Sequence, residues 1–542
     1  MSFTSLNYAA VALGGLLMLQ WCLKPKQLAA LPPGPKGLPI IGNVTDMPAT
    51  KEWVTFAEWG RKWGGILSVK LLGRPMIIVN SAEVMGELDK QGAIYSDRPR
   101  LEMGGELMGY SKTLVLIPYG QRFRTYRKYF SRHFGTPSSL DRHLSLVEHE
   151  TRRFLKRTLL NPRNLNNNLR KLAGGIIMQL TYGYEVQDGE DPFVKLIETA
   201  NDNFSAASVP GAFPVDFFPS LRKLPEWLPG MGFMALARQW AQATTEMIEI
   251  PFNYTKQQVA RSNPHLFSSH PLIYVSAQAA GSARPSFVSE NLENEKSLSA
   301  DEIEDIKLAA SSMYGGGADT TVSAEYAFFL AMVLNPDVQS KAQAEIDSVI
   351  GRDRLPTLAD RPYLPYTNAV LTEVLRWNSV APTGVPHTAM EDGIIAGYLI
   401  PKGSIIIANL WGMLHNPEVY PEPFKFDPER HIATPDKPAQ QDPRTICFGY
   451  GRRVCPGMHL AEASLFSVIA SSLAVLDIAK VVENGIEITP VHENTSGIIR
   501  FVLLSSHCAA HVDGLHSFPE PFKCKITPRS DKAISLIQED HI

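Results

Sequence analysis

The ten residues from Phe448 to Gly457 constrain this chain more than any other stretch. They read FGYGRRVCPG, with one cysteine, Cys455, between a glycine-rich loop and a helix that begins near Met458. Glycines such as Gly449 let backbone approach a flat neighbouring group closely. A helix N-terminus offers unpaired N–H groups and the positive end of its dipole, and both favour a thiolate over a thiol. A lone cysteine is most often buried and inert, and that reading stands for Cys455 taken by itself. The spacing Phe448-x-x-Gly451-x-Arg453-x-Cys455-x-Gly457 is harder to set aside, because it fixes five residues in ten positions. Five cysteines in 542 residues also exclude a disulfide scaffold.

Helical spacing dominates the rest of the chain. Ser299 and Glu302 form a capping-box pattern and Asn335-Pro336 closes the segment they open. One helix of about 50 Å is expected over 299–334. Gly315-Gly316-Gly317-Ala318-Asp319-Thr320-Thr321 lies in its middle. Each glycine there costs about 1 kcal/mol against alanine, which close helix packing alone would justify. Helical spacing recurs over 338–350, 366–377 and 458–476, and short strand-like runs fall at 67–71, 76–79 and 404–408. The expected fold class is mainly α with a minor β region. Glu373-Val374-Leu375-Arg376 places opposite charges three apart on one helix face, and Phe426-Asp427-Pro428-Glu429-Arg430 follows.

Together these segments resemble the cytochrome P-450 superfamily of haem-thiolate monooxygenases, over nearly the whole chain after residue 30. The resemblance implies that fold, with haem b between the long oxygen-binding helix and the cysteine-loop helix. It implies Cys455 as the axial ligand to the haem iron, where a thiolate favours O–O cleavage. By the same match Phe448 packs on the sulfur side, Gly449 and Gly457 shape the loop, and Arg453 meets a propionate. Gly316 and Gly317 would make room for dioxygen, Thr320 would hydrogen-bond the peroxide formed from it, and Asp319 would feed protons from solvent. Tyr119–Lys128 resembles the helix beside the haem, with Arg127 on a propionate. Phe123 stands where the family usually has Trp, which removes an indole donor. His387 matches a further propionate partner, although a lone histidine is as often structural. Glu373, Arg376 and Arg430 would form a buried structural network. Cys447 falls outside the motif and reads as core.

Residues 6–23 carry no charge and would make a helix of about 27 Å, close to a bilayer core. A cleaved signal peptide is the competing reading, but no basic residue precedes the run and it is longer than such peptides require. Lys24, Lys26 and Lys36 follow, so the positive-inside rule leaves the body in the cytosol. The expected organisation is an anchor and linker over 1–30 and a haem-thiolate domain over 31–542, single-pass in the endoplasmic reticulum membrane. Leu31-Pro32-Pro33-Gly34-Pro35 would act as a stiff extended hinge holding that domain off the membrane.

Two stretches depart from the family pattern, 261–278 and 500–516. One reading makes both short introns translated in frame; the other makes them tolerated surface insertions. The first should follow a helix end. The second would interrupt a hairpin whose turn serves the substrate pocket.

The function this implies is insertion of one oxygen atom of dioxygen into a lipophilic or aromatic small molecule. Electrons would come from NADPH through a separate cytochrome P-450 reductase, with cytochrome b5 as a second donor. The pocket stretches 101–118, 204–218, 380–385 and 495–499 are mostly apolar. The detailed resemblance is to fungal microsomal members of secondary metabolism or xenobiotic oxidation. A haem-thiolate isomerase or dehydratase, a non-enzymatic haem-binding sensor or carrier, and a product inactivated by 500–516 are the alternatives. A net charge of −3 gives no ground for a nucleic-acid partner.

Overall fold

Two helices that are apolar all round must lie in a core. Thr320–Leu334 is buried at every position from Val322 to Val333, and Met458–Val475 is buried along most of its length. In this computed structural model, which describes residues 29–208, 212–262, 284–293, 297–495 and 517–539, they pack against each other. Leu144–Leu160 covers the second and Leu165–Tyr182 the first. Among the described residues Met458–Val475 is also the one helix long and apolar enough to cross a membrane, and its burial assigns it to the core. The anchor expected over 6–23 lies outside the described residues.

The capping box forms as expected. Ser299 Oγ accepts the Glu302 N–H at 3.3 Å, and Glu302 Oε2 accepts the Ser299 N–H at 2.8 Å. The single helix expected over 299–334 is, however, two helices, Ala300–Gly317 and Thr320–Leu334. At the break Thr320 Oγ donates to the Gly316 carbonyl at 2.8 Å, and Asp319 is drawn sideways into an ion pair. Side-chain bonds of this kind compete with the backbone ladder and interrupt it. Pro336 then opens the next helix, Pro336–Val349.

The β component is small. Ile66–Leu71 and Arg74–Val79 form a hairpin through Leu72-Gly73, whose φ angles of 49° and 87° suit a tight twisted turn. Arg74–Val79 pairs in parallel with Ile405–Ala408, Ile78 opposite Ile407. Ile405–Ala408 pairs on its other side with His387–Thr388, which fixes where His387 sits.

The proline-rich linker is no free hinge. Ser68 donates through N–H to the Pro33 carbonyl at 2.8 Å and through Oγ to the Pro32 carbonyl at 2.6 Å. A Cβ on Gly34 would stand 2.0 Å from the Ser68 carbonyl oxygen. The glycine therefore permits the linker to lie directly on the first strand.

The first departing stretch begins in the last turn of the helix Phe233–Ser262. Around the second, Thr495 N–H donates to the Phe518 carbonyl at 2.8 Å and Phe518 N–H to Thr495 Oγ1 at 3.1 Å. Asn494 bridges Pro519. The hairpin expected to be interrupted by 500–516 thus keeps a paired stem.

Candidate active site

The cysteine segment folds as a short turn, Gly451–Arg453, followed by Cys455 and the helix from Met458. Gly451 has φ of 61°, and a side chain there would meet Asp89 Oδ1 at 2.9 Å. The Cys455 N–H donates to the Phe448 carbonyl at 2.9 Å, closing the loop around the sulfur. Burial pushes the Cys455 thiol up, while the Gly457 N–H and Arg127 act in the opposite direction. The helix N-terminus alone therefore does not secure the thiolate that the sequence reading expects of it. A metal cation at the sulfur would, because coordination deprotonates a thiol. Cys447 packs between two apolar clusters and burial pushes its thiol up as well, in line with a core role.

Three guanidiniums converge beside this loop. Arg453 is buried and donates to the carbonyls of Ser96 at 2.8 Å, Leu114 at 3.3 Å and Ile117 at 2.7 Å. Its guanidinium lies 4.0 Å over the Phe123 ring, so the phenylalanine that replaces the expected tryptophan serves as a cation–π platform. Arg127 donates to the Val454 carbonyl at 2.6 Å. Arg98 donates to the carbonyls of Val385 at 2.6 Å and Pro386 at 2.8 Å, and its Nε has no partner. None of the three has a carboxylate within ion-pair distance among the described residues. Burial and the neighbouring Arg453 push Arg98 down to about 9, and burial pushes Arg453 down to about 10.

His387 Nδ1 donates to the Tyr95 carbonyl at 2.7 Å, and its ring stacks on Tyr450 at 4.7 Å. Burial, with Arg98 and Arg453 nearby, pushes it well below the usual imidazole range, so it is neutral. Its Nε2 then carries the lone pair and meets a carboxylate only by taking a second proton. Buried cations without counter-charge are costly. The donor set therefore fits a group with carboxylates, as the two haem propionates would supply. Arg98 is the member that the sequence reading missed; Ser96-Asp97-Arg98-Pro99 gives no local sign of it.

On the oxygen side the two expected glycines differ. A Cβ at Gly316 would meet nothing within 4 Å, so this residue opens onto free space. A Cβ at Gly317 would come 3.0 Å from Ile177, so the glycine lets this helix pack closely against its neighbour. Asp319 is buried, with Oδ1 accepting from Arg170 at 2.8 Å and Oδ2 from Asn201 at 2.6 Å. Arg170 also lies 3.5 Å from Glu198 Oε1. Asp319 is thus held in an ion pair, and its partner Arg170 is itself only partly buried. Arg170 and Asn201 were not legible in the sequence, since they reach Asp319 from two other helices.

The charged network forms as expected and is larger. Glu373 accepts two hydrogen bonds from Arg376 at 2.7 Å each, one from Arg430 at 3.1 Å, one from His431 at 2.8 Å and the Asp427 N–H at 2.9 Å. Burial alone would raise the Glu373 carboxyl, but Arg376, His431 and Arg430 hold it below the usual range. His431 is an addition to the expected trio.

A loop cysteine, an anion-seeking guanidinium cluster and a glycine-opened helix carrying a threonine together form a site whose donors would suit a haem-thiolate group. The sequence profile of the cytochrome P-450 family matches residues 32–487. Cytochrome P-450 monooxygenase 208 of Postia placenta is 47% identical over 534 residues, covering 98% of this chain and 97% of its own. Cytochrome P-450 monooxygenase claR of Ampulloclitocybe clavipes is 44% identical over 519 residues, covering 95% and 90%. Cytochrome P-450 monooxygenase CLM2 of Gibberella zeae is 40% identical over 540 residues, covering 97% and 95%. The chain belongs to the cytochrome P-450 family and is a monooxygenase. Membership implies haem, a redox partner and a small-molecule substrate.

Proposed function

We propose that the chain oxygenates a lipophilic or aromatic small molecule of fungal secondary metabolism, using electrons passed from NADPH by a separate reductase, with cytochrome b5 as a second donor. The observation that carries this is a guanidinium cluster without carboxylate partners, Arg98, Arg127 and Arg453, gathered around the loop that holds Cys455. Cys455 would hold the haem iron and the guanidiniums its propionates. Haem so bound supplies the activation of dioxygen, and the thiolate tunes it. Gly316 leaves space beside the oxygen-side helix. Thr320 Oγ, now directed to the Gly316 carbonyl, is the hydroxyl that would place a proton, and Asp319 the carboxylate that resupplies it. The retained hydroxyl and carboxylate favour oxygenation over an isomerase or dehydratase reaction.

For the reductase, Arg124, Lys128 and Arg452 are exposed beside the cysteine loop and offer a basic surface to an acidic partner. The endoplasmic reticulum is the proposed location, with residues 6–23 as the single span and the catalytic body in the cytosol.

The test is the carbon monoxide difference spectrum of the reduced protein. A strongly red-shifted Soret band that disappears in Cys455→Ala supports the reading, and NADPH with a fungal reductase then serves to screen lipophilic substrates. Haem that binds without that band, or no haem at all, would overturn it.

A further inference from the structure

A cluster of aromatic rings begins on the oxygen-side helix and ends at the surface. Tyr314, on the same helix as Gly316, is buried, and its hydroxyl donates to the Phe193 carbonyl. The centroid of the Phe193 ring lies 4.4 Å from that of Tyr184 and 5.9 Å from that of Tyr254. Tyr184 and Tyr254 are themselves 5.3 Å apart, edge to face. Tyr184 is buried, whereas Tyr254, on the helix Phe233–Ser262, is half-buried and reaches solvent. Edge-to-face packing is ordinary in a core, so these ring contacts by themselves assign nothing beyond stability.

One hydroxyl in the cluster differs from the rest. Tyr184 donates to Asp191 Oδ2 at 2.9 Å. The same oxygen accepts the Gln187 N–H at 2.9 Å, while Oδ1 accepts the N–H groups of Phe193 at 2.9 Å and Val194 at 3.1 Å and so caps the helix Pro192–Ala207. Asp191 is buried, and no cation lies within ion-pair distance of it among the described residues. Burial and this carboxylate push the Tyr184 hydroxyl up, so the phenol holds its proton at rest. A phenol that loses an electron becomes a strong acid, and Asp191 is already placed to take the proton. The other two buried hydroxyls have no such acceptor. Tyr314 meets a backbone carbonyl, which is too weak a base, and Tyr182, 6.0 Å from Tyr314, has no hydroxyl partner.

We propose that Tyr184 and Tyr254 form a relay that carries single electrons from the surface to the haem site, drawing them from a phenol too large to enter the protein. The proposal rests on the haem-thiolate reading above, and the oxidant is a peroxide. Tyr184 gives an electron toward the haem site and its O–H proton to Asp191 Oδ2. Tyr254 then passes an electron to Tyr184, which recovers its proton from Asp191, and Tyr254 loses its own proton to solvent. An external phenol restores Tyr254 by giving it one electron and one proton, and becomes a phenoxyl radical. Two such passages, with the two protons released, reduce one peracid to its carboxylic acid and water. A phenol suits this exchange because the O–H bond it breaks is of the same kind as the one re-formed in Tyr254.

The test mixes ferric haem protein with peracetic acid and freezes the mixture for electron paramagnetic resonance. The reduced carbon monoxide band is recorded first for every variant, so that failure of the haem-thiolate reading and failure of the relay read differently. Wild type is expected to give a tyrosyl signal that narrows when its tyrosines are ring-deuterated, and guaiacol linked to dextran is expected to quench it. Tyr184→Phe, which keeps the ring, is expected to lose both the signal and the oxidation of the dextran-linked guaiacol. Tyr254→Phe is expected to keep a tyrosyl signal and lose that oxidation. Asp191→Asn, which still caps Phe193 and Val194 through its carbonyl, is expected to lose the signal as Tyr184→Phe does. A tyrosyl signal of wild-type size in Tyr184→Phe or Asp191→Asn, or guaiacol oxidation at the wild-type rate in Tyr254→Phe, would overturn the proposal.

Discussion

Arg170 Nη1 lies 2.8 Å from Asp319 Oδ1, immediately before Thr320 in the chain. The guanidinium comes from Leu165–Tyr182 and reaches the break between the two halves of the oxygen-side helix. It holds the carboxylate in place and also lies within 3.5 Å of Glu198, whose carboxyl burial pushes up. Arg170→Leu leaves Asp319 buried with only Asn201 as partner. The expected cost is about 1–3 kcal/mol in urea unfolding, because the pair is only partly buried. Product formed per NADPH should fall and hydrogen peroxide release rise, with the carbon monoxide band unchanged. Arg170→Lys should restore much of the coupling. Unchanged peroxide release in Arg170→Leu would detach the ion pair from proton supply.

Arg98 carries the second prediction. It is pushed down by burial and by Arg453, has an unpartnered Nε, and meets no carboxylate at ion-pair distance among the described residues. Arg98→Leu should lose haem to an acceptor such as apomyoglobin about tenfold faster, on the order of one charge-assisted hydrogen bond. The folded protein without haem should be no less stable than wild type, because a buried like-charge contact has been removed. A haem-loss rate equal to wild type would exclude Arg98 from the propionate site.

The network around Glu373 predicts a stability effect. Glu373 and Arg376 are fully buried and Arg430 is nearly so. Arg376→Leu leaves the carboxylate with Arg430 and His431 but removes two of its short bonds. A loss of about 3–5 kcal/mol is expected from breaking such a pair. It should be read as a lower urea midpoint and as poor haem incorporation. No change in midpoint would move the network to the periphery of folding.

These residues also mark what local sequence can and cannot reveal. Cys455 and its glycines lie within ten residues, and Glu373 and Arg376 lie three apart on one helix, so spacing alone made them visible. The capping box at Ser299 and the stop at Asn335 were legible for the same reason. The break at Ala318-Asp319 was not, because the Arg170 that draws Asp319 aside meets it across 149 residues. Gly317 read as an oxygen-side glycine until Ile177, on another helix, supplied the packing reason. Arg98 and His431 act only through partners that the fold brings to them.

Glu325 predicts a pH dependence of stability. It is fully buried on Thr320–Leu334, with Oε1 accepting from Ser464 Oγ at 2.8 Å and Oε2 without a partner. Burial pushes its carboxyl up to about 8, against about 4.3 in an unfolded chain. Between those values the folded state holds a proton that the unfolded state has lost. The stability from this group is therefore full below about pH 4.3, falls as pH rises, and is gone above about pH 8. Glu325→Gln keeps a neutral acceptor for Ser464. It should match wild type near pH 5 and exceed it at pH 9 in urea midpoint. Parallel pH profiles for the two proteins would show that Glu325 does not titrate in this range.

The paired stem around the second departing stretch yields the last prediction. Thr495 and Phe518 already exchange two hydrogen bonds, so closure of the hairpin does not depend on what joins them. Deleting 500–516 leaves 496–499 and Ser517 to connect the stem, a length common in hairpins. Shortening the connection lowers the entropy lost on closure, which would stabilise the protein by at most about 1.5 kcal/mol. The carbon monoxide band should be unchanged. The stem also sits close to the oxygen-side helix, since Ser323 Oγ donates to the Ser517 carbonyl at 2.6 Å. A connection at that place lies beside the oxygen-side helix, so the deletion should shift the affinity for an azole such as ketoconazole, read from the Soret shift, while leaving haem content alone. If instead only the deleted form takes up haem and turns over NADPH with a reductase, the stretch is inhibitory, and sequencing the mature transcript becomes the deciding measurement. If the deleted form loses haem, the stretch is an integral part of the fold and the intron reading falls.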